Sequence, residues 1–439
     1  MNPPPFRSIA TAPLPLPPGP ASDLASWLSY LERLHPATIE LGLERVARVR
    51  DRLALAPASP LITVGGTNGK GSTCAMLESV LKSAGYRVGC YASPHLLRYN
   101  ERVRIGGIEV ADTELVAAFE RVEQARGDIS LTYFEFGTLA AVLLFQDARL
   151  DVAVLEVGLG GRLDAVNAFE PDCAVVVSIG LDHTEYLGPT LGHIGYEKAG
   201  IFRAGKPAVV AETEPPPTLL EHAHRIGADL YLIDRDFGYL AGEQQWQFWD
   251  WRGKRDGLPL PALRGRYQLA NASAALAALD SLRDRLPVDM GAIRRGLVEV
   301  DLPGRFQVVP GRPVVILDVA HNPHAALRLA ENLERMQPRG RRLAVFAMLK
   351  DKDIEGVIAA VCAQVDEWLV APLPGTRGAD LGRMREAFRG AGVTAPLADF
   401  ASVAAALEQA RERAGADDKI LVFGSFYTVA DALRSLAHN

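Results

Sequence analysis

Only four cysteines occur in 439 residues, Cys74, Cys90, Cys173 and Cys362, and none forms a C-x-x-C pair, which excludes a disulfide scaffold and a zinc cluster. Their apolar surroundings predict reduced, mostly buried thiols in a cytoplasmic protein. Long apolar runs are also missing. No stretch approaches the length of a membrane span, and no basic segment leads into an apolar one near the N-terminus, which predicts neither anchor nor signal peptide. Positive charge is not in surplus: Lys and Arg total 47 against 53 Asp and Glu, a net charge of −6. No global field therefore draws the chain to nucleic acid or anionic lipid, and any anion site must be local. Short tandem repeats are absent as well. With 48% hydrophobic and 23% charged residues the chain is an ordinary globular protein, long enough for two or three domains.

What is present begins with a proline-studded segment, Pro3 to Pro20, which lacks the backbone donors of a helix or central strand and is expected to be a tail, 1–21. Ser22 then reads as a helix N-cap, because Leu24, Trp27, Leu28, Leu31 and Leu34 recur on one helical face. A second amphipathic helix runs through Leu43, Val46, Val49 and Leu53. LITVGG reads as a buried strand entering a glycine loop, followed by a helix from Ser72 to Ala84 closed by Gly85. Further strands near Arg87–Tyr91, Asp151–Val157 and Cys173–Ile179 alternate with helical runs, and RVRIGGIEV reads as a hairpin turning at Gly106 and Gly107. The fold class is α/β with a mostly parallel sheet. LPGR, after Asp301, marks a junction, dividing 22–301 from 302–439. Beyond it VVILD, RLAVFAM, EWLVA and KILVF predict a second, smaller open α/β sheet.

VGGTNGKGS, Val64 to Ser72, lies between a strand and a helix, where unpaired backbone N–H groups and the positive helix end favour a phosphate chain. Lys70 would neutralise charge and Ser72 could ligate magnesium. The run departs from the common phosphate-loop pattern, with Val64 at the first glycine position and Gly71 between Lys70 and Ser72. A glycine turn serving only strand–helix packing is the competing reading. No N-K-x-D sequence follows to read guanine, which leaves ATP-driven chemistry. Glu156 in LEVGLGGRLDAVN, and Asp182 with His183 in SIGLDHTEYLG, stand at successive strand ends, where open parallel sheets bind ligands and a carboxylate reaches a metal. Satisfied polar residues at strand termini would look the same. Ser93, before Pro94, adds a hydroxyl at another strand end or only a turn, and Lys198 reads from composition as a surface lysine with a snorkelling stem.

GTNGKGS, SPHLLRYNERVRIGG, TYFEFGTLAA, LEVGLGGRLDAVN, DHTEYLG with EKAGIFR, LPGRFQ, DVAHNPHAA and GSFYTVA together resemble the bacterial dihydrofolate synthase/folylpolyglutamate synthase family, in the family's order from about Ser22 onward. The resemblance implies a Mur-ligase-like architecture: a P-loop ATPase domain with a parallel-rich sheet and a smaller Rossmann-like C-terminal domain, with catalysis between them. It implies that ATP phosphorylates a substrate carboxylate and that the amine of L-glutamate attacks the acyl phosphate. The acceptors would be dihydropteroate and reduced folates, handled by a monomer without nucleic-acid or membrane partners.

Residue by residue, the resemblance makes Ser93, Glu156 and His183 ligands of magnesium, two ions in all, and Lys198 a carboxylated lysine. Lys70, His183 and Lys198 become the catalytic set. Thr67, Asn68, Gly69, Lys70, Gly71 and Ser72, with Asn271, Arg305 and Asp318, would hold ATP. Glu40, Leu41, Gly42 and Leu43, then Thr132, Tyr133, Phe134 and Glu135, then Leu163, Asp164 and Ala165 would hold the pterin, where aromatic and acidic groups suit a flat heterocycle with amino donors. Glu40 is one methylene longer than the aspartate expected there. His321 and Asn322 would meet the nucleotide or glutamate, although Asn322 could equally cap the helix after Pro323. Domain closure would hinge near Leu302–Arg305. Activity on folates alone, another Mur-type amino-acid ligase, and a slow ATP-hydrolysing switch are the rival functions.

Overall fold

Runs of branched and small apolar residues form the larger sheet, whose central strands are buried on both faces. In a computed structural model describing residues 15–19, 22–336 and 339–437, its strands are β1 (Leu61–Gly65), β2 (Val88–Tyr91), β3 (Val103–Ile105), β4 (Ile108–Glu109), β5 (Val152–Glu156), β6 (Cys173–Val176), β7 (Pro207–Val210) and β8 (Asp229–Leu232). They lie in the order β4-β3-β2-β5-β1-β6-β7-β8. All neighbours pair in parallel except β3 with β2 and with β4, the hairpin expected at Gly106 and Gly107. Alternation along the strands sorts side chains into two layers. Ile62, Val64, Val152 and Val154 join the core made by the helices Lys70–Ser83, Tyr267–Ser281 and Met290–Glu299. Leu61, Ala153 and Leu155 join the helices Leu24–Leu34, Asp112–Arg126 and Tyr133–Ala148.

Three local expectations shift. The first helix is capped by Asp23 rather than Ser22, its carboxylate accepting from Ser26 N at 2.9 Å. The helix after the glycine loop starts at Lys70, two residues early, because Gly69 at φ 86° turns the chain directly into it. A three-stranded antiparallel sheet, β9 (Phe237–Ala241), β10 (Gln245–Asp250) and β11 (Gly253–Pro259), was not foreseen, although Trp246 and Phe248 alternate inward as strand residues should. The proline-rich 1–21 segment lies outside the described residues apart from 15–19. All four cysteines are free, three of them buried and Cys362 partly so. No helix among the described residues is long and apolar enough to cross a membrane.

The second sheet contains the four expected strands and two short ones: β12 (Gln307–Val309), β13 (Val314–Asp318), β14 (Arg342–Phe346), β15 (Glu367–Val370), β16 (Leu397–Asp399) and β17 (Lys419–Phe423), ordered β12-β13-β17-β14-β15-β16. Only β12 runs antiparallel to its neighbour. Groups just beyond the carboxyl ends of the two sheets meet. Asn68, after β1, and Asn322, after β13, exchange amide hydrogen bonds of 3.1 and 3.2 Å, and Asn322 Nδ2 also donates to Asp182 Oδ2 at 3.0 Å. Lys352, after β14, donates to Asp182 Oδ1 at 2.6 Å, both side chains being at most 10% exposed. Burial opposes the ionised Asp182 carboxyl, but Lys352, with His183 and His321, holds it well below the usual carboxylate range.

Two predictions follow from this packing. A Cβ on Gly296 would lie 2.5 Å from the Val80 Cα, so Gly296→Ala forces apart the helices Met290–Glu299 and Lys70–Ser83. It should lower stability by about 1–3 kcal/mol in urea unfolding, whereas an unchanged midpoint would refute that close approach. Lys352→Met strands the Asp182 carboxylate and should cost about 3 kcal/mol at neutral pH. Because the folded carboxyl titrates below its unfolded value, the stabilisation is complete above the ordinary carboxylate pKa of about 3.9 and is lost as pH falls below it. A double-mutant cycle with Asp182→Asn that gives no coupling energy would show that the pair does not form.

Candidate functional site

The topology brings the carboxyl ends of β2, β5, β1 and β6 side by side, and each end delivers a polar group to one crevice. After β1 the chain forms the glycine loop. Thr67 N donates to Ser178 O, Asn68 N donates to Ser178 Oγ, and Gly180 N donates to Thr67 Oγ1, so the segment after β6 fixes the loop's shape. Lys70 Nζ folds back onto Gly66 O at 3.0 Å and Thr67 O at 3.2 Å, which holds an ammonium across the mouth of the loop. Gly69 is required twice over: its φ is positive, and a Cβ would lie 2.5 Å from Asn271 Oδ1. Asn271 is thereby placed on the loop. Its Nδ2 donates to Gln268 Oε1, and Gln268 in turn reaches the buried Ser72 Oγ at 3.4 Å.

Glu156, at the end of β5, is buried and accepts from Ser93 N at 3.0 Å, which joins two of the three expected metal ligands. It has no ion pair among the described residues. Burial raises its pKa, against the field of Lys70 and Arg305. A buried carboxylate with no bonded cation fits a metal position. His183, with φ 51°, is tied instead to Lys352, whose Nζ lies 3.2 Å from its Nε2, and burial holds the ring neutral down to about pH 4. No group of three or more His, Cys, Asp or Glu side chains among the described residues is arranged to hold a metal ion.

Lys198 is 3% exposed, which corrects the surface reading. The helix Leu191–Ala199 can come down onto the turn after β5 because Gly161 has no side chain: a Cβ there would lie 2.7 Å from Glu197 O and 3.1 Å from Lys198 Cα. Burial, helped by Lys70, pushes the Lys198 ammonium down to about 7. It forms no hydrogen bond or ion pair among the described residues.

The three segments expected to hold the pterin are joined. Arg45 bonds the Glu40 carboxylate and carbonyl and both oxygens of Glu135, and Gly42 N donates to Leu163 O at 3.1 Å. Leu41 and Leu43 flank that contact, half-buried. His35 also bonds Glu40, at 2.8 Å, and together with Arg45 lowers its pKa. Thr132 and Glu135 form a reciprocal capping box at the start of the helix Tyr133–Ala148. The Phe134 ring covers Gly158, where a Cβ would be 2.6 Å away. Asp164, beside the buried Ala165, accepts from Leu159 N and Val166 N, but burial carries its carboxyl up to about 7.

From the second sheet, Asp318 is anchored by Phe306 N and Ala320 N and raised by burial to about 6. Arg305 stacks over Phe426, 4.9 Å from its centroid, and its NH2 would lie 3.5 Å from a Cβ on Gly71, which brings it to the loop. His321 Nδ1 donates to Val319 O, turning Nε2 toward Asp182 Oδ2 at 3.7 Å. Asn322 caps the helix Pro323–Arg335 through Ala325 N, as one of its two readings expected, and its amide also bonds Asn68 of the glycine loop. Lys352, Arg45 and Ser178 were not foreseen. Lys352 follows a strand as Asp182 does, a signal the sequence did offer, whereas the roles of Arg45 and Ser178 exist only once distant segments meet.

Comparison with known proteins agrees with this geometry. Residues 64–279 match the Mur ligase middle domain, and residues 304–426 match the Mur ligase glutamate ligase domain. The Escherichia coli dihydrofolate synthase/folylpolyglutamate synthase is 52% identical over 417 residues, covering 95% of this chain and 96% of the relative. Its Haemophilus influenzae counterpart is 42% identical, covering 93% and 97%. The structure of E. coli FolC with DHPP and ADP superposes with a TM-score of 0.91 at 50% identity over 96% of this chain and 99% of that one. A Yersinia pestis bifunctional folylpolyglutamate synthase/dihydrofolate synthase complexed with AMPPNP and a manganese ion gives 0.90 at 49%, covering 96% and 100%. With a glycine loop, a buried carboxylate and a second sheet's arginine at one crevice, and with relatives this similar along nearly the whole chain, the protein belongs to the dihydrofolate synthase/folylpolyglutamate synthase family of Mur ligases.

Proposed function

We propose that the protein is an ATP-dependent amide ligase that joins L-glutamate to dihydropteroate and to reduced folates through an acyl phosphate. The observation that carries this reading is the meeting of the glycine loop with Glu156 on one side and Arg305 on the other, contributed by two different sheets, with Asp318 in the field of Arg305. Residues 22–301 would form the ATP- and pterin-binding domain and 302–439 the smaller domain that completes the site, with the hinge at Leu302–Arg305. A carboxylate is a poor electrophile until phosphate becomes its leaving group, so the site must first guide a phosphoryl group to it.

In this reading the loop N–H groups of Gly69 to Ser72, beyond those of Thr67 and Asn68 that Ser178 occupies, cradle the phosphate chain, and Lys70 and Arg305 face the charge that develops on the transferring group. Asn271 fixes the loop from behind, and Asp318 orients Arg305 and the nucleotide. Glu156 and Ser93, with His183 and the Ser72 hydroxyl, would hold magnesium, which when bound supplies charge neutralisation to the phosphates. The absence of a bonded cation at the buried Glu156 supports that assignment. Lys198 would act as a carbamate: its neutral Nζ attacks carbon dioxide, forms an N–C bond and releases one proton, so that an anion faces the metal instead of an ammonium. A pKa near 7 leaves much of the amine neutral at ordinary pH, which favours this addition. Glu40 to Leu43, Thr132 to Glu135 and Leu163 to Ala165 would hold the pterin, Glu135 and Asp164 being the acidic members.

Purified protein with magnesium ATP and glutamate should release phosphate in the presence of either dihydropteroate or a tetrahydrofolate, with an amide product identified by mass. Activity with tetrahydrofolate alone would reduce the protein to a polyglutamate synthase, and hydrolysis without amide would refute the ligase. Glu156→Gln should lower turnover by at least about a hundredfold. Native mass spectrometry in bicarbonate should show one added carbon dioxide, lost on acidification and missing from Lys198→Arg. An unmodified wild type that retains full activity would refute the carbamate.

A further inference from the structure

The loop that follows β2 contains a guanidinium with unused capacity. Arg102 lies against a pair of tyrosine rings, 5.2 Å from the centroid of Tyr99 and 5.4 Å from that of Tyr133, and its Nε donates to His95 Nδ1 at 2.8 Å. Its two terminal nitrogens make no hydrogen bond or ion pair among the described residues, although the residue is half-buried. A guanidinium only donates, so His95 Nδ1 must accept, and the ring proton is forced onto Nε2, which also lacks a partner among the described residues. The structure thus holds a planar fork and a neighbouring N–H, both unanswered.

The array is built rather than incidental. The Glu101 carboxylate accepts from Leu96 N, Leu97 N and Arg98 N at 2.6 to 2.7 Å, which freezes the loop that carries His95. Leu96 packs into the core of the second sheet, and its Cδ1 would lie 3.5 Å from a Cβ on Gly304. The loop therefore sits between the two sheets, with Ser93 at one end and Tyr133 of the pterin segment against Arg102. Forked N–H groups in a fixed plane match a carboxylate.

We propose that Arg102 and His95 form a receptor for a glutamyl carboxylate, namely the one carried by the tail of a folate acceptor. Dihydropteroate has no such group. The assignment rests on the ligase reading above, and it makes Arg102 a specificity-determining residue that favours the second of the two acceptors. A site built to bond a group discriminates against a substrate lacking it more strongly than an apolar pocket would.

Steady-state kinetics with both acceptors test this. In Arg102→Gln the ratio of kcat/KM for tetrahydrofolate to that for dihydropteroate should fall about tenfold or more, through KM for the folate, with Arg102→Lys falling between it and the wild type. His95→Ala should shift the same ratio by a smaller factor, so the proposal stays testable if Arg102→Gln does not fold. An equal loss with both acceptors, or a rise in KM for free glutamate regardless of acceptor, would overturn the assignment. If the wild type itself makes no amide with either acceptor, the ligase reading fails instead.

Discussion

A charge removed from water must be answered, and the crevice between the two sheets is organised by charges that the protein itself answers only in part. Asp182 is fully engaged, by Lys352 and Asn322. Glu156 and Lys198 are not, and Lys70 is folded onto carbonyls rather than onto a carboxylate. The satisfied pair closes the two sheets onto each other, and the unsatisfied groups face the crevice in which the proposed ligase would place phosphates, a divalent cation and a carboxylated side chain. Stability and function are divided between neighbouring residues: the sequence LDH places the structural Asp182 beside the candidate ligand His183.

Much of this was legible in the sequence because parallel sheets leave strong marks. Buried strands ending in glycine or in a carboxylate identified β1, β5 and β6 and the groups at their ends, and the LPGR segment does fall between the last helix packed on the first sheet and β12 of the second. Glu156 and Ser93, expected at neighbouring strand ends, do meet, and Glu156 lies beside the glycine loop. The burial of Lys198 was not legible, because it depends on Gly161 allowing a helix to approach, and that is a property of two segments rather than one. The same reason hides Arg45, whose partners Glu40 and Glu135 are five and ninety residues away. The sheet from Phe237 to Pro259 escaped notice for a different reason. Its strands carry many charged and glutamine residues on the exposed side, so the apolar alternation rests on little more than Trp246, Phe248 and Leu258.

The positions where one residue serves two purposes explain why single readings of them conflicted. Asn322 caps its helix and also bridges to the first sheet, since Oδ1 receives the helix N–H and the Asn68 amide while Nδ2 donates to Asn68 and Asp182. Thr132 and Glu135 likewise begin a helix by a purely local capping pattern, yet the carboxylate that completes the cap is also held by Arg45, which bonds Glu40 as well. Local propensity and site geometry agree at these positions, so folding the helix and placing the functional group are one event.

The amide of Asn322 therefore joins the two sheets through three hydrogen bonds, and it is followed by Pro323. Asparagine amides are ordinarily lost with time when the next residue's backbone nitrogen attacks the side-chain carbonyl and closes a five-membered ring. Proline has no N–H to perform that attack. The residue that starts the helix thus also shields this joint from deamidation, a reaction that would set a second carboxylate directly against Asp182. The junction that joins the two sheets across the crevice is in this way protected against chemical ageing by its neighbour's covalent structure.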